Sequence, residues 1–291
     1  MQKIFLSIVC VFFISFISYS QEGKINLVII GAHPDDADIK AGGTAAEFAA
    51  RGHNVLLVSV TNGDAGHYEL GGPPLAKIRK AEAMEAGRRL GVNYVVLDNH
   101  DGKLMPTLEV REQIIRLIRE WKADVVISHR PNDYHPDHRN TAILVQDAAY
   151  MVIVPNIVPD TPPLKVNPVF LFLEDNFQKP WPFQPDIVVD ISATYDKKIY
   201  AMSAHESQFF DWLPWTAGRL GEVPKGEKER LEWLTRLRST HVNEEKRASL
   251  IKWYGSERGS QVRFAEAFEI CEYGRRPSEE EIKRLFPMLG N

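Results

Sequence analysis

Two short blocks of the sequence combine histidine and aspartate in the pattern of a metal site. The first is "GAHPDDADIKAGG" at 31–43 and the second is "HRPNDYHPDHRNT" at 129–141. Each follows an apolar run and contains His-Pro-Asp. A single His-Pro-Asp is also a common turn, because Pro fixes φ and Asp caps the next helix. Two such blocks, each following a separate predicted strand, favour one shared site instead.

The residue types in the two blocks suit metal-dependent hydrolysis. A catalytic zinc ion takes three ligands from His nitrogens and carboxylate oxygens and keeps a fourth position for water. His33, Asp36 and His138 supply two imidazoles and one carboxylate. A hydrolase also needs a base for the water and a donor for the oxyanion or the leaving amine. Three acid–base groups stay in reserve for these tasks: Asp35, His135 and Asp137.

The apolar pattern predicts the elements that position both blocks. Continuous apolar runs predict buried strands at 25–30, 55–60, 92–97, 123–128, 169–174 and 186–192. Helical spacing predicts helices at 42–52, 74–91, 108–122, 140–152 and 193–209. The alternation predicts an α/β fold, a mostly parallel sheet with helices on both faces. The remaining residues are predicted to form a charged, helical C-terminal extension with a capping box at Ser278 and Glu281.

Residues 1–20 have the pattern of a signal peptide. Lys3 is their only charge, and the apolar run from Ile4 to Ile17 is shorter than the ~20 residues that span a bilayer. We therefore expect an exported protein, periplasmic or secreted, with an uncleaved anchor as the alternative. Residues 21–291 contain no repeat and no Gly/Ser-rich linker, so we expect a single domain without a membrane span.

The charge and the cysteine content limit which binding partners and which disulfide bonds can be expected. The formal net charge is −4, and removal of Lys3 would make it more negative, which argues against a nucleic-acid partner. Of the two cysteines, Cys10 lies in the expected signal peptide. Cys271 would then remain alone, so no intrachain disulfide is expected. A homo-oligomer is compatible with this composition.

The two blocks resemble the PIG-L/LmbE family of zinc-dependent N-acetylglucosamine deacetylases. The likeness continues through "VTNGDAG" (60–66), "IRKAEAMEAGRRLG" (78–91), "DISATYDKKIYAMSAHESQF" (190–209) and "AEAF" (265–268). The resemblance implies a Rossmann-like sheet and hydrolysis of the acetamide of an N-acetylated amino sugar, free or within a glycan. It also implies one Zn²⁺ per chain, with Fe²⁺ as an alternative metal.

The resemblance also implies individual roles. Its zinc ligands correspond to His33, Asp36 and His138, and its general base corresponds to Asp35. His135 would stabilise the oxyanion or act as the acid, with Asp137 orienting it. Two weaker assignments, contacts to sugar hydroxyls, fall on Arg79 and Asp101. The sequence departs from the family at Ala37, where Glu is frequent, with Asp38 next.

Two further features and two rival functions complete the predictions. His205 is interpreted as a packing or loop-organising residue. The aromatic segment 209–226 contains Trp212 and Trp215, interpreted as core or a subunit contact, with a wall of the substrate pocket as the alternative.

Two His and one carboxylate also describe a non-haem iron oxygenase. A metal-stabilised sugar-binding protein without turnover is the third hypothesis.

Overall fold

The computed structural model describes residues 23–238 and 242–290, so the predicted signal peptide lies outside the described residues. Within these ranges one seven-stranded sheet forms, with the order β3-β2-β1-β4-β5-β7-β6. Its strands are β1 Asn26–Gly31, β2 Asn54–Thr61, β3 Asn93–Asn99, β4 Val125–Ser128, β5 Val169–Leu173, β6 Ile187–Asp190 and β7 Ala265–Gly274. β1 to β5 pair in parallel, whereas β7 is antiparallel to β5 and β6. The predicted mostly parallel sheet is confirmed.

Helices cover both faces of the sheet, as predicted. The described α-helices are α1 Asp36–Ala50, α2 Gly72–Leu90, α3 Leu108–Glu120, α4 Pro136–Met151, α5 Tyr195–Met202, α6 Leu213–Thr216, α7 Glu227–Leu237, α8 Glu244–Tyr254, α9 Ser256–Gln261 and α10 Glu279–Leu285. A π-helix at Ser207–Trp212 and a 3₁₀ turn at Leu220–Glu222 separate α5, α6 and α7. Among the described residues, no helix has the length and apolar content needed to cross a membrane.

The two faces bury separate apolar clusters because successive strand residues point to opposite sides. Leu27 and Ile29 of β1 pack with α1, α2 and α5, whereas Val28 and Ile30 pack with α3 and α4. β1 is therefore apolar at every position between its ends. This explains why the continuous run in the sequence predicted the strand correctly.

The C-terminal region differs from its prediction in one element. Residues 265–274 were expected to be helical, but they form β7, which inserts between β5 and β6. Ala and Glu favour helices by intrinsic propensity, and pairing on both edges of the strand outweighs that preference here. The predicted start of α10 is confirmed, since Ser278 Oγ accepts a hydrogen bond from Glu281 N–H at 3.3 Å.

α1 also begins earlier than predicted, at Asp36 rather than residue 42, and is kinked at Ala41, where φ is −143°. The kink is held by Glu266 of β7, whose carboxylate accepts hydrogen bonds from Gly43 N–H at 2.9 Å and Thr44 N–H at 2.7 Å. Lys198 Nζ donates to the same carboxylate at 2.8 Å. A buried charge pair thus replaces part of the helical ladder and sets the direction in which α1 leaves the sheet edge.

This buried pair gives the first testable prediction. We expect Glu266→Ala to lower the free energy of unfolding by about 3–5 kcal/mol, because Lys198 would stay buried without its counter-charge. Chemical denaturation would measure the loss. The matched control is Glu272→Ala, whose side chain is 78% exposed and paired on the surface with Arg276; its effect should stay within about 0.5 kcal/mol. Equal effects of the two substitutions would contradict the assignment.

Candidate metal centre and active site

The two His-Pro-Asp loops leave the same edge of the sheet. β1 and β4 are parallel neighbours with Ile30 opposite Ser128, so the residues after each strand begin side by side. Gly31 permits the close return of α1, since a Cβ there would lie 2.6 Å from the Cβ of Asp36. The predicted convergence of the two blocks is therefore present in the fold.

The three predicted metal ligands present a triangle of donor atoms. His33 Nδ1 lies 3.2 Å from His138 Nε2. Asp36 Oδ2 lies 3.4 Å from each of these nitrogens. A tetrahedral zinc ion with bonds of about 2.0–2.1 Å needs donor atoms roughly 3.3 Å apart. The triangle thus has the dimensions of one face of a tetrahedral zinc site.

Each histidine of the triangle turns its second ring nitrogen toward a carboxylate. His138 Nδ1 lies 2.9 Å from Asp133 Oδ1. His33 Nε2 lies 3.0 Å from Asp101 Oδ1 and 3.4 Å from Asp137 Oδ2. Carboxylates in this position fix the tautomer and orientation of metal-binding imidazoles and raise their basicity. Both histidines of the triangle therefore have the carboxylate partners that are typical of metal-binding histidines.

The charges around the triangle favour a cation. Burial opposes the charged form of His33, yet hydrogen bonds to Asp101 and Asp137 raise its pKa well above the ordinary value. Burial would likewise raise the pKa of Asp36, but the charges of His138 and His129 hold it well below its usual range. Both directions reflect carboxylates gathered around buried imidazoles, an environment that stabilises positive charge.

Asp35 faces the same cavity as the triangle. The cavity has a volume of about 540 Å³, and its lining includes His33, Asp36, His138, Asp35 and Arg79. Arg79 Nη2 donates to Asp35 Oδ1 at 3.2 Å, and both side chains are buried. The predicted contact of Arg79 with a sugar stays a prediction. In the structure, the guanidinium of Arg79 orients the carboxylate of Asp35, the predicted base.

We expect Arg79→Met to weaken both folding and turnover. Removing the guanidinium leaves the Asp35 carboxylate buried without its partner, so the free energy of unfolding should fall by about 3 kcal/mol, and kcat should fall with it. Denaturation and steady-state kinetics would measure both. Arg88→Met is the control, because the ion pair of Arg88 with Glu85 lies at the surface, where water screens it, and its loss should leave stability and kcat unchanged. Unchanged stability and kcat in Arg79→Met would contradict the pairing.

His135 and Asp137 also reach the site, and Asp137 contacts His135 through its backbone N–H. His135 caps α4, its Nδ1 accepting from Asp137 N–H at 3.2 Å, and its ring lies 4.5 Å from that of His33. Burial, with the charges of His33 and His138, lowers the pKa of His135. The carboxylate of Asp137 accepts from Gly102 N–H at 2.7 Å and Leu104 N–H at 3.3 Å. It therefore supports His33 and the loop at 102–104, while its backbone contacts His135.

Two residues of the second block that lie at the site, His129 and Asp133, were not predicted from the sequence. His129 is buried, and its Nε2 lies 3.2 Å from Asp36 Oδ2. Asp133 contacts His138 as described above. Only the position of His129, directly after β4, could have indicated from the sequence that it belongs to the site. Three overlapping groups among the described residues could hold a metal ion: His33–His135–His138, Asp36–His129–His138 and His33–Asp101–Asp137.

His205 is not among the residues that line the cavity of the site. Its Nε2 is 2.8 Å from Asp38 Oδ2, and both side chains are fully buried. Tyr94 Oη donates to the same oxygen at 3.2 Å. His205 thus ties the chain after α5 to the first turn of α1, in agreement with its predicted organising role. It also gives Asp38 a structural function.

One family model and two related proteins show what this chain is similar to. A family model described as PIG-L: GlcNAc-PI de-N-acetylase matches residues 28–149. The diacetylchitobiose deacetylase of Thermococcus kodakarensis is 30% identical over 202 residues, 65% of this chain and 73% of that protein. The 4-oxalmesaconate hydratase of Pseudomonas putida is 26% identical over 197 residues, 65% of this chain and 76% of that protein.

A solved structure extends the similarity to the fold. The N,N'-diacetylchitobiose deacetylase from Pyrococcus horikoshii superposes with a TM-score of 0.63 at 25% identity, covering 84% of this chain and 83% of that one. The predicted resemblance is confirmed, and the chain belongs to the PIG-L (GlcNAc-PI de-N-acetylase) family.

Proposed function

We propose that the protein hydrolyses the acetamide of an N-acetylated amino sugar, using a zinc ion held by His33, Asp36 and His138. The observation that carries the proposal is the donor triangle of 3.2–3.4 Å in the same cavity as Asp35. When bound, zinc supplies Lewis acidity and makes water acidic enough to deprotonate near neutrality. Deacetylases among the relatives support this reaction class.

The side chains can divide the proton transfers between them. Asp35, held at Oδ1 by Arg79, accepts a proton from the attacking water at its other oxygen. The water oxygen bonds to the acetyl carbon, and the carbon–nitrogen bond then breaks. His135 lines the cavity and can donate a hydrogen bond to the developing oxyanion, in which case the proton taken up by Asp35 passes to the leaving amine. Alternatively, His135 gives its own proton to the amine, and the proton on Asp35 then restores His135. The products are acetate and the free amino sugar.

Acetate release tests the proposal directly. The zinc-loaded protein would be incubated with a panel of N-acetylated amino sugars, with acetate and free primary amine measured together. We expect equal amounts of both products from at least one sugar. In a parallel assay of the protein loaded with Fe²⁺, oxygen uptake without acetate release would instead indicate an iron oxygenase. Binding of the sugars without any product would indicate a sugar-binding protein.

Hydration of an unsaturated acid is the second candidate, because one relative is a 4-oxalmesaconate hydratase. The two reactions differ in their products, since hydration adds water across a C=C bond and releases nothing. Loss of the ultraviolet absorbance of a conjugated unsaturated dicarboxylate, without acetate from any sugar, would favour hydration.

We also propose that the protein acts after export, which rests on the signal-peptide pattern of residues 1–20 alone. In a bacterial host, we expect most of the full-length protein in the periplasmic or secreted fraction. Sequencing of its amino terminus should begin near Gln21. Retention of the intact chain in the cytoplasm would contradict this proposal.

A further inference from the structure

Four aromatic rings stack in a column beside the candidate active site. The ring centroids of His67 and Tyr68 are 4.6 Å apart, and those of Tyr68 and Trp215 are 5.3 Å apart. Trp215 then stacks on Trp212 at 5.3 Å, and all three interplanar angles are between 11° and 17°. We call His67, Tyr68, Trp215 and Trp212 the aromatic column.

The column ends in the cavity of the metal centre. Trp212 lines that cavity together with Gly66 and Gln208, which belong to the two segments that supply the column. Gln208 Nε2 donates to Gly66 O at 3.1 Å and so joins these segments. Ser207, at the start of the π-helix, donates to Glu82 of α2 from N–H at 2.8 Å and from Oγ at 2.6 Å. The column is thereby fixed relative to Asp35 and His33.

The exposure of Trp215 is too high for a core residue, whereas the subunit contact and the wall of the substrate pocket stay predictions. Trp215 is 46% exposed and Trp212 is only partly buried. Two further aromatic side chains line the same cavity, Tyr134 at 71% and Phe177 at 38% exposure. The aromatic faces are thus available to a ligand in the cavity, and stacking fixes the orientation of Trp212 before binding.

A pyranose ring is the ligand group that suits this wall. One face of a pyranose carries C–H bonds, which pack on the electron-rich face of an aromatic ring. A rotationally fixed Trp loses little conformational entropy on binding. The donor triangle and Asp35 define where the acetamide must lie, while Trp212 belongs to the separate segment after α5.

We propose, resting on the proposed function, that Trp212 binds a second pyranose ring joined to the acetamido sugar. The preferred substrate would then be an N-acetylated disaccharide or longer oligosaccharide rather than the monosaccharide. Trp215 and Tyr68 are positioning residues, because they act by holding the Trp212 ring.

Binding without turnover tests this inference separately from catalysis. Calorimetry on zinc-loaded Asp35→Asn would compare N-acetylglucosamine with N,N'-diacetylchitobiose. We expect the disaccharide to bind about tenfold more tightly, the effect of ~1.4 kcal/mol from one aromatic contact. Adding Trp212→Ala should remove this advantage and leave the affinity for the monosaccharide unchanged. Trp212→Phe should retain part of it, and the control Tyr150→Ala, an exposed residue of α4, should retain all of it.

Three results would overturn the inference. One is equal affinity of Asp35→Asn for the two sugars, including no binding of either. Another is an equal loss for both sugars in Trp212→Ala. The third is a Trp215→Ala variant with a lower molecular mass by light scattering and an unchanged sugar preference, which would assign the column to a subunit contact. If the unsubstituted protein releases no acetate while the preference persists, the proposed function fails and the second sugar site stands.

Discussion

Asp35→Asn is expected to lower kcat for acetate release by about 10²–10⁴-fold, the usual contribution of a general base, without changing the metal content. The amide has nearly the shape of the carboxylate and can still face Arg79 Nη2, which lies 3.2 Å from Asp35 Oδ1 in the parent. It cannot accept the proton of the attacking water. KM should change little, because the substitution removes an interaction made in the transition state.

The control for this substitution is Asp196→Asn on the exposed surface of α5, which makes the same chemical change outside the cavity. Its kcat should match that of the parent. Metal analysis by mass spectrometry separates lost chemistry from lost metal. A kcat for Asp35→Asn within threefold of the parent, at full metal content, would remove Asp35 from the mechanism.

His138→Ala should abolish metal binding and, with it, acetate release. The substitution removes one corner of the donor triangle and leaves Asp133 without its 2.9 Å contact. Loss of a residue that merely supports a metal ligand costs about 10–100-fold in affinity, so loss of a ligand should exceed that range. We expect the metal content of the purified variant to fall below about one-tenth of the parent value and activity to reach the detection limit.

A histidine at the opposite edge of the sheet provides the matched control. His53 precedes β2, and its Nδ1 accepts a hydrogen bond from Ile25 N–H at 3.2 Å. His53→Ala should keep the metal and kcat of the parent. Circular dichroism of both variants would confirm folding. Parental metal content in a folded His138→Ala variant would contradict the assignment of His138 as a ligand.

The sheet that carries the site could be predicted because its apolar runs are local signals. β1 and β4 are buried on both faces, and their carboxyl ends deliver His33 and His138 to one edge. β7 and the kink of α1 could not be predicted in this way, since both depend on partners far away in the chain. Glu266 reaches Gly43 across 223 positions, and no local pattern encodes that contact.

The site was predictable in its residue types and less so in its contacts. His33, Asp36 and His138 were predicted as one donor set from their residue types on two strand-exit loops and from the family resemblance, and they lie together. His129 and Asp133 lack a signal of their own, because their roles arise only from their distances to Asp36 and His138. The pairing of Arg79 with Asp35 likewise joins α2 to the first loop, a contact that only the packing of α2 defines.

Anomalous diffraction from crystals of the zinc-loaded protein tests the central claim most directly. We expect one strong peak at the zinc edge, about 2.0–2.2 Å from His33 Nδ1, His138 Nε2 and Asp36 Oδ2. Asp35 should lie beside the peak without ligating the ion. A protein that releases acetate while showing no peak within that triangle would contradict the claim that these three residues hold the catalytic metal.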